Sequence, residues 1–226
     1  VTRISERYRG PADLPQRLPV FPLMRAILLP RATLPLNIFE ARYLQMVEDV
    51  MSTSRVLGIV QPAGGDEESP VASTAPLRRI GCAGRITSYQ ELGDGRFLIS
   101  LTGIARFELT DEVMLAKPYR ICTVSYERFL ADFTAGAGEE EVDRAGLLRS
   151  LKAYMEARGL QADWSAIGKT STEALVNSLA MASPYGREEK QALLEAPDLK
   201  TRAEMLVALA EMELAAGTRD PGSTLQ

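Results

Sequence analysis

Ile80-Gly-Cys-Ala-Gly-Arg-Ile-Thr-Ser-Tyr-Gln-Glu-Leu-Gly-Asp-Gly-Arg-Phe-Leu-Ile-Ser-Leu101 is the stretch that decides the fold. Two strand-like runs, Ile80 to Gln90 and Arg96 to Leu101, flank Gly93-Asp94-Gly95, and Gly and Asp supply the backbone freedom that a tight hairpin needs. In the second run Phe97, Ile99 and Leu101 alternate with Arg96, Leu98 and Ser100, the period of two that buries one face of a curved sheet. Ala105 to Leu109 and Arg120 to Tyr126 read as further strands, with Cys122, Val124 and Tyr126 on one face. Such short strands, interrupted by one helix, fit a small, partly closed barrel better than a parallel βαβ sheet.

Toward the N-terminus, Val56 to Val60 reads as a buried strand, and the period changes before it. Phe39, Tyr43, Met46, Val47, Val50 and Met51 recur at steps of three and four, which predicts a helix from Phe39 to about Ser52 or Ser54 with these residues on its buried face. Leu18-Pro-Val-Phe-Pro-Leu23 predicts a short strand that its two prolines confine to an edge or a strand end, because they cannot donate to a ladder. Ile27-Leu-Leu-Pro30 and Thr33-Leu-Pro-Leu36 continue as a second extended stretch. Residues 1–17, with Pro11 and Pro15, read as an extended arm. Asp66-Glu67-Glu68 lies in a Gly-rich surface loop, where adjacent carboxylates without further spaced oxygen ligands mark a solvated tip rather than a cation site.

Beyond Tyr126 the chain changes character. Small and acidic residues over 132–141 read as a linker between a β-rich subdomain, 18–131, and a helical bundle subdomain, 142–217, followed by a frayed tail, 218–226. Val142, Leu148, Leu151 and Met155 share one helical stripe, and Leu175, Val176, Leu179 and Met181 another. Glu188 to Glu195 and Leu199 to Ala216 follow, separated by Pro197, with Asp198 as the N-cap of the last helix. The fold class is therefore α+β.

Composition narrows the chemistry. The 226 residues carry 26 basic and 30 acidic side chains, a formal charge of -4, so nucleic-acid binding would need a local basic patch. The absence of histidine excludes Ser-His-Asp and Cys-His centres and His-ligated zinc from these residues. Cys82 and Cys122 lack the spacing of a metal site and read as buried, reduced thiols. No apolar stretch reaches the roughly 20 residues of a membrane span, and a cytoplasmic location is expected by default.

Apparent motifs dissolve on inspection. Gly168-Lys169-Thr170 matches the end of a phosphate-binding loop, but Asp163 occupies the position of its first glycine, and a helix-entry loop capped by Ser171 or Thr172 is the better reading. Trp164 reads as the seal of a helix junction rather than a ligand platform. Phe39, Glu40, Arg42 and Tyr43 read as structural anchors, with Glu40 and Arg42, two apart on a helix, each pairing with another segment.

Leu18-Pro-Val-Phe-Pro-Leu, Leu29-Pro30 and Leu34-Pro-Leu-Asn-Ile-Phe-Glu-Ala-Arg-Tyr43 followed by Met46-Val47 resemble the N-terminal substrate-binding domain of Lon proteases. Ile80-Gly-Cys-Ala-Gly-Arg-Ile86, Gly95-Arg-Phe, Leu101-Thr-Gly-Ile-Ala-Arg-Phe107, Pro118-Tyr-Arg and Glu189-Lys-Gln-Ala-Leu-Leu-Glu-Ala-Pro-Asp-Leu199 are similar to later motifs of that family, in the same order. The resemblance spans about Leu18 to Ala216. It implies a PUA-like pseudo-barrel followed by a helical bundle, and recognition of unfolded or exposed protein segments. Two positions depart from the pattern: Arg31 stands where relatives commonly carry Gly, and Gly186 where a Ser cap is common. No ATPase or Ser-Lys protease motif accompanies these residues, so the chain reads as a stand-alone Lon-domain protein or a part of something longer.

The expected function is accordingly non-catalytic protein or peptide binding without a cofactor or metal, alongside a protease or chaperone system. Leu28, Leu29, Leu34 and Ile38, together with a groove between the two halves, are the candidate peptide-binding surface, so Leu28→Asp should weaken binding, although core packing is the stronger reading of the Leu28-Leu29-Pro30 run itself. Two alternatives stand beside it. One is RNA binding through Arg78, Arg79, Arg85 and Arg106, and the other a hydrolase built on two convergent buried carboxylates.

Overall fold

A computed structural model describes residues 7–64 and 75–217, so Asp66-Glu67-Glu68 and the tail after Gly217 lie outside the described residues. Two compact units divide the chain: Val1–Ala135 with Met181–Glu195, and Gly136–Ala180 with Ala196–Gln226.

The described residues of the first unit include six strands: β1 (Arg17–Pro22), β2 (Thr33–Ile38), β3 (Val56–Pro62), β4 (Leu77–Glu91), β5 (Phe97–Val113) and β6 (Arg120–Ser125). Their order is β2-β5-β4-β3-β1-β6, and β5 also pairs with β6, so β1, β3, β4, β5 and β6 close into a ring. Among the pairings of these six strands, β1–β3 is the parallel one. Closure depends on β5, whose residues 97–108 run against β4 while residues 108–113 turn to β6. The strands expected at 96–101 and 105–109 are thus one continuous element. Gly103 carries the chain through the join, where a methyl group would come within 2.0 Å of the Leu29 carbonyl oxygen.

β1 lies inside the ring rather than at an edge. Its partners overlap only at Val20, with Arg17–Val20 on β6 and Val20–Pro22 on β3, so each proline stands against a single partner strand. Helix α1 (Ala41–Met51) starts two residues later than expected. It buries Tyr43, Met46, Val47 and Val50, while Phe39 precedes it and is 65% exposed.

Leu18, Val20, Val56, Val60, Ala83, Ile104, Phe107, Cys122 and Val124 fill the core of this unit. Tyr8 and Leu14, within the stretch expected as an unpacked arm, belong to the same core, and Tyr126 donates to the Pro15 carbonyl at 2.9 Å. Both cysteines are buried and free, and burial pushes the Cys122 thiol up to about 11.

The α-helix α5 (Arg187–Glu195), far along the sequence, also belongs to this unit. Buried polar groups tie it to the strands. Gln61 donates to the Arg187 carbonyl and to Gln191 Oε1 (3.1 and 3.0 Å), and Gln191 donates to the Ile80 carbonyl at 3.2 Å. Arg106 donates to the Leu194 carbonyl at 3.1 Å.

In the second unit α2 (Arg144–Ala157) packs against α6 (Leu199–Gly217), with α3 (Trp164–Lys169) and most of α4 (Thr172–Ala182) completing the set. Helix starts are set locally. Asp143, Asp163 and Asp198 accept from the N–H groups of Gly146, Ala166 and Thr201 at 2.9, 3.0 and 2.7 Å, and Ser171 accepts from Ala174 at 3.2 Å. Gly168 and Lys169 close the short helix α3, an exposed C-terminus instead of a phosphate loop. Trp164 opens that helix and is 41% exposed, so it is not the buried seal of a helix junction. No helix among the described residues is long and apolar enough to cross a membrane.

Candidate protein-binding surface

Burial redistributes the apolar residues expected to bind peptides. Leu28, Leu29 and Ile38 are at most 1% exposed, and Leu34 on β2 is half-buried. The prolines around Leu28-Leu29 do prevent a regular element, but the resulting coil packs down on two glycines. A methyl group on Gly84 would lie 2.5 Å from Leu28 Cδ2, and Gly103 makes the equivalent room for Leu29. Irregular backbone is thus no sign of an exposed side chain here. The turn that follows is held in the left-handed region, with Arg31 at φ 63°, a conformation that favours glycine. The Arg31 guanidinium donates to the Asp132 carbonyl at 2.6 Å, offsetting part of that strain.

Glu40 and Arg42 pair with each other at 2.7 Å, Glu40 being the extended N-cap of α1 and not part of the helix. Arg42 lies 4.5 Å from the centre of the Tyr43 ring, which stacks on Phe21 of β1 at 4.0 Å. Burial is the main cause that raises the Tyr43 phenol, followed by the opposing influence of Arg42.

Large apolar side chains are exposed after β5, at Met114 and Leu115, at Leu130, and at one end of the three-stranded ribbon β2-β5-β4. Pairing of Ile38 with Phe97, and of Phe97 with Glu91, brings the end of β2, the start of β5 and the end of β4 together. Phe39 leaves this end immediately after β2. Leu98, between Asn37 and Gln90 in the register, is 41% exposed on the face opposite buried Phe97 and Ile99. Tyr89 is 39% exposed, with its ring 5.1 Å from that of Phe97. Asp94 and Arg96 bridge at 2.6 Å in the adjoining turn, where the carboxyl is held below its ordinary range by the arginine. Sequence alone left Phe39 on a buried helix face and did not single out Tyr89 or Leu98. The available signal was Leu98 itself, an aliphatic residue on the Arg96/Ser100 face of its strand.

The four arginines of the RNA reading are all engaged. Arg106 is 3% exposed and grips Asp132 through two nitrogens at 2.9 and 2.8 Å, so it cannot meet a phosphate. Its plane also lies 4.3 Å from the Phe129 ring centre. Arg78 pairs with Glu188, Arg79 with Glu108 at 3.2 Å, and Arg85 donates to the Tyr8 hydroxyl and the Ser54 carbonyl, each at 3.0 Å. The buried carboxylates among the described residues, Asp132 and Glu173, belong to different units, and Glu173 accepts from the Gly136 N–H at 3.0 Å. Among the described residues no three of His, Cys, Asp and Glu gather to hold a metal ion.

The family described as ATP-dependent protease La (LON) substrate-binding domain matches residues 17–211. Lon protease 2 of Myxococcus xanthus is 27% identical over 203 residues, covering 87% of this chain and 24% of its own length. The chain spans about a quarter of the length of the curated relatives it matches. Among solved structures, the Lon N-terminal domain protein from Xanthomonas campestris superposes with TM-score 0.59 at 23% identity, covering 85% of this chain and 97% of that one. The N-terminal domain of the Mycobacterium avium complex Lon protease gives TM-score 0.60 at 17% identity, covering 86% and 98%.

Proposed function

The chain belongs to the ATP-dependent protease La (LON) substrate-binding domain family, and on that premise we propose that it is a non-catalytic module that captures exposed segments of protein substrates. The observation that carries the reading is the pair of solvent-facing apolar side chains at the end of the β2-β5-β4 ribbon, Phe39 and Leu98. Large apolar side chains gathered on the rim of a rigid sheet are what a segment of unfolded protein can bury on arrival. Phe39 contributes the most, being a large aromatic with few contacts of its own to lose. A protease or chaperone system is the partner that would receive what is captured. The matched family region is a substrate-binding domain, and unfolding and peptide cleavage fall to other machinery in this reading.

Fluorescence anisotropy with a labelled, permanently unfolded polypeptide tests it. Wild-type protein binds, and Phe39→Ser combined with Leu98→Ser lowers affinity by about tenfold or more while the melting temperature stays within a few degrees. Unchanged affinity in the folded double variant would remove this surface from the binding account. No binding by the wild type would remove the function itself.

A further inference from the structure

In the helical unit an open groove of about 700 Å³ runs between α2 and α6. Leu147 and Ala203 form a buried apolar floor with half-buried Val207 beside them. The rim is acidic: Glu141, Asp143, Glu204 and Glu211 stand against Arg149 and Lys200. Asp143 is already occupied as the cap of α2, with Arg149 at 3.9 Å, both groups largely exposed. Glu141, Glu204 and Glu211 have no ion pair among the described residues. Glu204 and Glu211 are exposed on α6 and seven residues apart, which is about 10.5 Å along the helix axis.

We propose that this groove is a second binding surface, specific for a basic amphipathic peptide segment whose apolar side chains enter the groove while flanking Lys or Arg side chains meet Glu204 and Glu211. The proposal rests on the reading of the chain as a protein-recognition module and adds a charge class to its ligands. Charge complementarity selects the occupant: an acidic rim over an apolar floor repels nucleic acid and acidic segments and attracts basic ones. The spacing suits it as well, since lysines seven apart on a helix share one face and are separated by about 10 Å. A second copy of this chain is disfavoured by its formal charge of -4.

The test uses the full chain and three labelled peptides of about 16 residues: one with lysines flanking a Leu/Ala face at that spacing, the same peptide with glutamates, and a neutral aromatic peptide. The lysine peptide binds about tenfold or more tighter than its glutamate counterpart, and its affinity falls several-fold between low and moderate salt. Glu204→Lys with Glu211→Lys abolishes that preference and leaves the aromatic peptide unaffected, and Glu204→Gln with Glu211→Gln gives an intermediate loss. Phe39→Ser does the reverse, weakening the aromatic peptide alone. Equal affinity for the lysine and glutamate peptides overturns the proposal, as does no binding of either. Loss of lysine-peptide binding in Phe39→Ser but not in the charge-reversed variant overturns it while leaving the ribbon surface standing. A dimer in sedimentation that the charge-reversed variants disrupt overturns it in favour of a second copy.

Discussion

The barrel unit and the helical unit treat their apolar residues differently. In the barrel, the ring of strands surrounds a core in which Leu18, Leu28, Leu29, Leu57 and Phe107 are fully buried. In the helical unit the 14-residue helix α2 buries Leu147 alone. Polar contacts do much of the holding there. Arg144 donates to Thr172 and to the Ile167 and Thr170 carbonyls at 3.1, 2.9 and 2.7 Å, and Glu213 accepts from Tyr154 and Arg158 at 3.0 and 2.7 Å. A closed sheet satisfies its backbone laterally and presents one continuous inner face, so its apolar residues are removed from water together. A helix satisfies its backbone alone and buries only the stripe that a neighbour covers, leaving α2 to depend on contacts that water can replace.

The sharpest way to break this contrast is Leu28→Asp. Placing a carboxylate where the native side chain has no exposure should cost more than about 4 kcal/mol and abolish cooperative folding of the barrel. A folded variant that only binds peptide less well, seen by urea titration with circular dichroism, would return Leu28 to the surface.

A smaller effect distinguishes the buried polar groups of the barrel. Burial, joined by the like charge of Arg25, pushes the Lys190 ammonium down to about 8 from 10.5. Between those values the unfolded chain holds a proton that the folded chain has released, so stability rises with pH from about 8 to 10.5. Below about 8 the folded protein carries the cost of a buried charge. Lys190→Met should therefore flatten the stability profile in that window, by on the order of 2 kcal/mol across it. Chemical denaturation at closely spaced pH values reads this, and identical profiles for the two proteins would place Lys190 in contact with water.

The smallest predicted effect tests the helical unit by itself. Asp143→Ala removes the cap of α2 and should cost about 1 kcal/mol. Hydrogen exchange should show α2 amides exchanging about fivefold faster with β3 unaltered. Equal acceleration in β3 would mean that the two units open as one.

Local features were readable in advance. The Gly93-Asp94-Gly95 turn is where expected, with the Leu92 N–H donating to the Arg96 carbonyl at 2.8 Å and Gly95 at φ 80°. Asp198 caps the last helix as its place after Pro197 suggested. The candidate site was much less legible. Leu28 and Leu29 stand in an irregular, proline-broken stretch that suggests exposure, yet what buries them are gaps at Gly84 and Gly103, 56 and 74 residues further along. Arg106 likewise invited a role at the surface, and its partners Asp132 and Leu194 are 26 and 88 residues away.

By itself, then, the sequence determined the α+β class, the hairpin, the caps, the family motifs and the exclusion of histidine chemistry from these residues. These depend on side-chain type and on neighbours within a turn or a pleat. Only the tertiary structure decided that β5 closes the ring, that α5 joins the strands, that Leu28 and Leu29 are interior, and that Phe39, Tyr89 and Leu98 face water. Those outcomes turn on which distant segment fills the space beside a residue, and the free energy of burial belongs to the pair of surfaces brought together rather than to either one.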